Sequence, residues 1–382
     1  MLEFIFLCLG IFIISVFWWS RAPVPFEVPK VIFFQWFVRV LTIVFALSFF
    51  LRRKSWKINR KLLVTILVFV VWVTISSLFG SDTSKSFAGN YYRLDGLTTF
   101  YELIGFSVLV SYFWNDKFRK IISLTFFASS TLLSIMALVE IATHKFGLGT
   151  AATFGNPVFL AGYLAVSIPF TFYLLKSTKR RIYLTGLVIQ IPAIILTGAI
   201  SSILTLIVFA FIYLLFFQKR IAKFLLIPLT VIFLLILFFW SKNYFYIKNS
   251  TTLSYESRER IFQNVIRGAV KKPVLGYGWA NVDYAFNAGN WPIKFVNDVY
   301  VDKAHSEILE VLVTTGVPGL TIYLSVLYIF VKTLIVKYQK SKDKIWNFTL
   351  LSIVILYLFH SQTNVISICE EIIFWLVLGI AL

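Results

Sequence analysis

What most constrains this chain is a succession of long apolar runs separated by short polar connections, repeated from one end to the other. A run of roughly 20 apolar residues is what a helix needs to cross a bilayer. By that ruler the runs fall near residues 2–19, 31–51, 62–80, 97–114, 121–141, 157–175, 182–198, 200–217, 224–240, 317–336, 345–361 and 366–382. Helices satisfy their own backbone groups within the segment, which lipid requires. The pattern predicts an all-α integral membrane protein of about twelve transmembrane helices, with a hairpin turning near Gly198 and one large helical loop between helices 9 and 10. The chain then divides into residues 1–240, carrying helices 1–9, a loop at 241–316, and residues 317–382, carrying helices 10–12. The first run reads as a retained helix: no basic residues precede it, and FWWSRAPVPF offers no small-residue cleavage site.

Composition settles the solvent and the partners. With 59% hydrophobic and 14% charged residues, the chain lies outside the range of soluble domains. Its net charge of +19 does not point to nucleic acid, because the basic residues form short clusters between apolar runs rather than one connected surface. Those clusters alternate. Twenty of the 36 Lys and Arg residues lie in five alternate loops, at 52–61, 115–120, 176–181, 219–223 and 337–344. The intervening short loops hold only Arg21, Lys30, Lys85, Arg93 and Lys145. Basic loops stay cytoplasmic, so both termini are read as cytoplasmic and 241–316 as outside. Cys8 and Cys369 lie in apolar segments and read as packing residues.

Ionisable residues within spans are costly and suggest function. On this topology Arg39, Glu102, Glu140, His360, Glu370 and Glu371 all fall in the outer halves of their helices. A channel or proton relay would spread such groups through the whole thickness, whereas an enzyme at the outer interface needs them there alone. The bland alternative for each is snorkelling to the nearby interface. A flippase for a lipid-linked glycan would want cations in the inner halves, which the sequence does not place there. Nor does it show the internal repeats common in transporters.

Within the outer segment, SYESRERIFQNVIRGAVKKPVLGYG reads as an amphipathic helix ended by Pro273, Gly276 and Gly278. Ile261, Phe262, Val265, Ile266 and Ala269 form its apolar stripe, and Arg260, Asn264, Arg267 and Lys271 the opposite, solvated or headgroup-facing side. Arg258 falls on the apolar side, where a guanidinium needs an anionic partner. Further on, DKAHSEILEVLVTTGVPGL starts a second helix, with Asp302 as its N-cap, and breaks at Gly316, Pro318 and Gly319. His305 then sits in the first helical turn, where the positive end of the dipole disfavours its protonation. A neutral imidazole suits a general base, although a lone histidine is more often structural. Tyr277, Trp279, Tyr284 and Trp291 could stack on sugar rings or simply partition to the interface.

In combination these residues resemble the O-antigen ligase family, which includes O-antigen polymerases and O-oligosaccharyltransferases. Such proteins carry an arginine shortly before an aromatic, a P-x-x-G-x-G turn, and an A-H-N-x-x-L stretch running into G-x-x-G-L. Here these stand as Arg258 before Phe262, PVLGYG, and AHSEILEVLVTTGVPGL, while YYRLDGL and FGNPVFLAGYL resemble family segments upstream. Two positions depart from the pattern. Ser306 replaces the asparagine, and Ile200, in TGAISS, stands where a functional arginine is expected. The resemblance implies a bacterial inner-membrane transferase with an extracytoplasmic site. It would use a polyprenyl-diphosphate-linked glycan donor, a hydroxyl-bearing glycan, lipid or protein acceptor, and no cofactor or metal. It further implies His305 and Arg258 as catalytic residues, with Arg93, Arg260, Arg267, Tyr277 and Ser306 binding substrate.

Overall fold

The computed structural model describes residues 2–52, 56–143, 149–218, 258–289 and 300–382. The span expected at 224–240 and Trp291 lie outside the described residues. Among those described, the fold is helical without a strand. The helices are α1 Leu2–Val16, α2 Glu27–Arg52, α3 Arg60–Leu78, the short α4 Thr83–Ala88, α5 Leu97–Phe113, α6 Arg119–Thr143, α7 Pro157–Thr178, α8 Ile182–Leu196 and α9 Ile200–Phe217. They continue with α10 Arg258–Lys271, α11 Val282–Ala288, α12 Glu307–Lys340, α13 Lys344–Ser361 and α14 Ile368–Ala381.

Seven helices among the described residues are long and apolar enough to cross a membrane, and Leu2–Val16, Leu97–Phe113 and Ile182–Leu196 are shorter apolar helices. The last expected span is α14, only 14 residues long and buried along almost its whole length. Helix α7 is the hub. It packs against α6, α8, α9, α13 and α14, and this all-round burial explains why its sequence is apolar on every face. Polar side chains join the helices where lipid supplies no partner. Gln190 donates to Ser130 at 2.9 Å and Thr131 at 3.1 Å and accepts from Thr171 at 3.1 Å, while the Tyr163 and Ser129 hydroxyls meet at 2.7 Å. Large apolar residues such as Trp36, Ile43, Val71, Val188 and Tyr328 face outward, as a lipid-facing belt requires.

Among the described residues, the two sets of loops collect at opposite ends of the bundle. At the basic end Arg119 pairs with Asp343 at 3.0 Å, and Lys337 donates to the Ile380 carbonyl at 2.9 Å. At the other end the Glu27 carboxylate accepts from the Ile368 N–H at 2.7 Å, and the Gly149 N–H reaches the Leu196 carbonyl at 3.3 Å. This second end carries α10 and α11 and the kink of α12, where Gly316 has φ 71° and ψ −177°.

Glycines fasten that cap to the bundle. The P-V-L-G-Y-G turn lies against the kink, with the Tyr277 and Gly278 N–H groups donating to the Val313 and Thr314 carbonyls at 2.9 Å each, and Val317 N–H to Pro273 at 2.8 Å. Gly276 and Gly316 both have positive φ, and a Cβ on Gly316 would lie 2.0 Å from the Val274 carbonyl oxygen. Only glycine permits that approach.

Candidate functional site

The capped end brings together three loops that are far apart in sequence. The first is the turn at 89–96, closed by Asn90 N–H donating to the Asp95 carboxylate at 3.0 Å. From it Arg93 reaches across to Asp302, Nε to Oδ2 at 2.6 Å, while its guanidinium lies over the rings of Tyr92 and Phe159. The two upstream family-like segments therefore meet at this side chain. Burial would lower the pKa of Arg93, but Asp302 holds it above its ordinary value.

Second comes the segment entering α12. Ser306, not Asp302, is the N-cap: its hydroxyl accepts from Leu309 N–H at 3.5 Å and donates to Gln362 Oε1 at 3.0 Å. Asp302 is occupied by Arg93, so the helix starts later than the sequence reading placed it, and His305 precedes the cap instead of lying in the first turn. His305 has φ 53°, a left-handed conformation that costs a non-glycine residue about 1–3 kcal/mol and clusters at functional sites. Its Nδ1 is buried with no hydrogen-bond partner among the described residues. Burial, then the Arg258 cation, lower its pKa; Arg93 and Lys303 add to this, and Asp302 opposes it. The imidazole is accordingly neutral near pH 7.

The third loop, between α13 and α14, supplies Gln362 and Asn364. Arg258, the first residue of α10, donates from Nη2 to Asn364 Oδ1 at 3.0 Å. The sequence reading asked for an anionic partner, yet this one is a neutral amide. Partial burial lowers the guanidinium's pKa, and with no carboxylate paired to it among the described residues its charge is available to an incoming anion.

Other expected residues are placed elsewhere. Arg260 and Asn264, read as a solvated face, are 3% and 2% exposed. They lie on the side of α10 that packs against α11, a helix too short for its periodicity to be seen in sequence. On that side a Cβ on Gly268 would lie 2.3 Å from the Ala285 carbonyl oxygen. Ile266, assigned to the apolar stripe, is exposed. Arg267 is also exposed, about 13 Å along the helix axis from Arg258 at 1.5 Å per residue. Tyr277 is 4% exposed and donates its hydroxyl to the Gly268 carbonyl at 3.2 Å, so its ring is core and not a sugar platform. Ile200 is 74% exposed and brings no cation.

The intramembrane ionisable residues are largely spoken for. Glu102 pairs with Arg39 at 3.0 Å, Glu140 accepts from Thr150 and the Ala151 and Ala152 N–H groups, and His360 Nδ1 meets Glu370 at 2.8 Å in full burial. Among the described residues no three His, Cys, Asp or Glu side chains are grouped to hold a metal ion.

Sequence reading missed Lys303 and the carboxylates around it. Lys303 Nζ sits 2.6 Å from Asp95 and 2.5 Å from Glu310. Burial would raise the Asp95 carboxyl, but Lys303 at that distance holds it below its ordinary value; the same contacts keep the ammonium above its own. The three-residue spacing of Glu307 and Glu310 was a visible signal for one shared face, whereas Lys303 precedes the helix and gave none. These groups line a cavity of about 160 Å³ together with Ser306, Asn364 and apolar side chains of α3, α5 and α12.

Comparison with known proteins adds to this geometry. A search of curated proteins returns no match to the chain. The family described as O-antigen ligase matches residues 185–324, from α8 to beyond the kink of α12, and over that stretch the chain is similar to that family.

Proposed function

We propose that this protein is a membrane glycosyltransferase that moves a glycan from a polyprenyl-diphosphate donor to an acceptor hydroxyl on the extracytoplasmic face. On this reading it is O-antigen ligase-like, inverting and independent of metal, in a bacterial inner membrane with both termini cytoplasmic. The observation that carries the proposal is His305. It is a neutral imidazole with a buried ring nitrogen that has no partner among the described residues, held in a left-handed backbone beside an arginine that no carboxylate among those residues pairs with.

The chemistry follows from those two groups. The acceptor oxygen attacks the anomeric carbon from the face opposite the diphosphate, the carbon–oxygen bond to phosphate breaks, and the acceptor proton passes to His305. Negative charge grows on the departing polyprenyl diphosphate. Arg258, whose planar fork matches phosphate oxygens, stabilises it. Arg93 orders the site through Asp302 more than it binds donor, because its Nε is already engaged. Ser306 fixes the start of α12, and with it the position of His305.

The test is reconstitution with a polyprenyl-diphosphate glycan and candidate acceptors, comparing wild type with His305→Ala. Transfer should fall by roughly 10²–10⁴-fold, the usual contribution of a positioned general base. Undiminished transfer in the variant would remove His305 from the mechanism. Movement of donor across the bilayer without transfer to any acceptor would make the protein a transporter.

A further inference from the structure

The cavity behind Ser306 differs in charge from the rim that holds Arg258. Five carboxylates line it, from Glu27, Asp95, Glu307, Glu310 and Glu371, against two cations, Arg93 and Lys303. Lys303 is shared between Asp95 and Glu310, which leaves the remaining acids in excess. Glu27 Oε2 and Glu307 Oε2 are buried with no hydrogen-bond partner among the described residues. Buried acceptors of this kind require a donor. The walls also carry aromatic rings, with Phe100 packed between Trp279 at 4.9 Å and Trp375 at 5.8 Å.

We propose that this cavity binds one neutral, hydroxyl-rich sugar ring of the acceptor. Carboxyl oxygens without a partner accept hydroxyl protons, and both cations of the cavity are already paired, so the donor's diphosphate is confined to the rim. Indole and phenyl faces suit the apolar face of a pyranose. Ser306 and Asn364 belong to both places: each lines the cavity, the first adjoins His305, and the second holds Arg258. A ring seated here presents a hydroxyl toward the imidazole. The inference rests on the glycosyl-transfer reading for its source of sugar, but binding is measurable without transfer.

The probe is a set of methyl hexosides, with glucose 1-phosphate as the anionic counterpart. Each is titrated onto the full chain in lipid nanodiscs by saturation-transfer NMR, which avoids sugar-headed detergents. At least one hexoside should bind saturably, and the phosphate should bind at least about tenfold more weakly. Glu27→Gln, Glu307→Gln and the cavity-filling Val326→Phe should each weaken the hexoside about fivefold or more, while Arg258→Gln leaves it unchanged. Equal binding of glucose 1-phosphate, or hexoside binding indifferent to all three cavity variants, overturns the proposal. So does Val326→Phe raising KM for donor and not for acceptor in an active preparation. A chain that binds hexosides with the expected dependence yet transfers no glycan keeps the sugar site and loses the transferase.

Discussion

At the rim, Arg258 leans on the Asn364 amide with no carboxylate paired to it among the described residues, whereas in the cavity wall Lys303 is clamped by Asp95 and Glu310 within 2.6 Å. Both cations sit within reach of His305 and both lower its pKa. Their surroundings assign them different work. A cation with a neutral partner can still bind an anion, while a cation shared by two buried carboxylates is a fastening that joins the 89–96 turn to α12. The difference teaches that charge count at this end of the bundle says little, and that the partner of each cation says most.

The largest effect should come from removing the fastening. Lys303→Met leaves Asp95 and Glu310 as uncompensated, mostly buried carboxylates, at a cost of about 3–5 kcal/mol. Thermal unfolding in detergent should show a large fall in midpoint, and the triple variant Lys303→Met, Asp95→Asn, Glu310→Gln should recover most of it. The pH dependence has a definite sign. The Asp95 carboxyl is held below its unfolded value, so its contribution is present above that value and lost as pH falls through the folded one. Lys303 is raised, so its contribution is present below the unfolded lysine value and lost only as pH rises through the folded one. Both contributions are in place at neutral pH. If Lys303→Met melts like wild type, Lys303 belongs with Arg258 and the contrast collapses.

Arg258→Gln is the corresponding change at the rim, and it should act on catalysis instead of stability. Loss of a charged hydrogen-bond donor to the leaving group is worth about 1.5–3 kcal/mol, or roughly a ten- to hundredfold fall in transfer. It should also move His305. Because the Arg258 cation lowers the imidazole's pKa, its removal lets that value rise, and the acidic limb of kcat/KM should shift to higher pH. Arg258→Lys retains the charge and should leave the limb in place while losing part of the rate. A limb unmoved in Arg258→Gln would mean that His305 does not titrate in the rate profile.

How much of this was legible in sequence depended on whether the signal was local. Most of the apolar runs were, and among the described residues the loops that alternate in basic charge do collect at opposite ends of the bundle. So were the turns: Gly276, Gly278 and Gly316 all take positive φ where the sequence read breaks. The misreadings needed a partner from elsewhere in the chain. Asn264 looked solvated because nothing in VDYAFNA announces a seven-residue helix whose C-terminal glycine, Gly289, packs against it. Asp302 looked like a cap because its true partner, Arg93, lies 209 positions away. The cavity was invisible for the same reason, since its acids come from α2, the 89–96 turn, α12 and α14.

Tyr277 carries the smallest expected effect and sharpens the comparison from its other side, because sequence placed it in the site and the structure places it beneath α10. Its hydroxyl donates to the Gly268 carbonyl, and at Gly268 α10 lies close against the Ala285 backbone of α11. Tyr277→Phe keeps the ring and removes one buried hydrogen bond, for a loss of about 1 kcal/mol in stability. The cap should soften slightly, read as faster amide exchange at the start of α11, with KM for donor and acceptor unchanged. Should KM for either substrate rise several-fold while the melting midpoint stays put, the ring contacts substrate after all, and the rim extends along α10 beyond Arg258 toward Arg267.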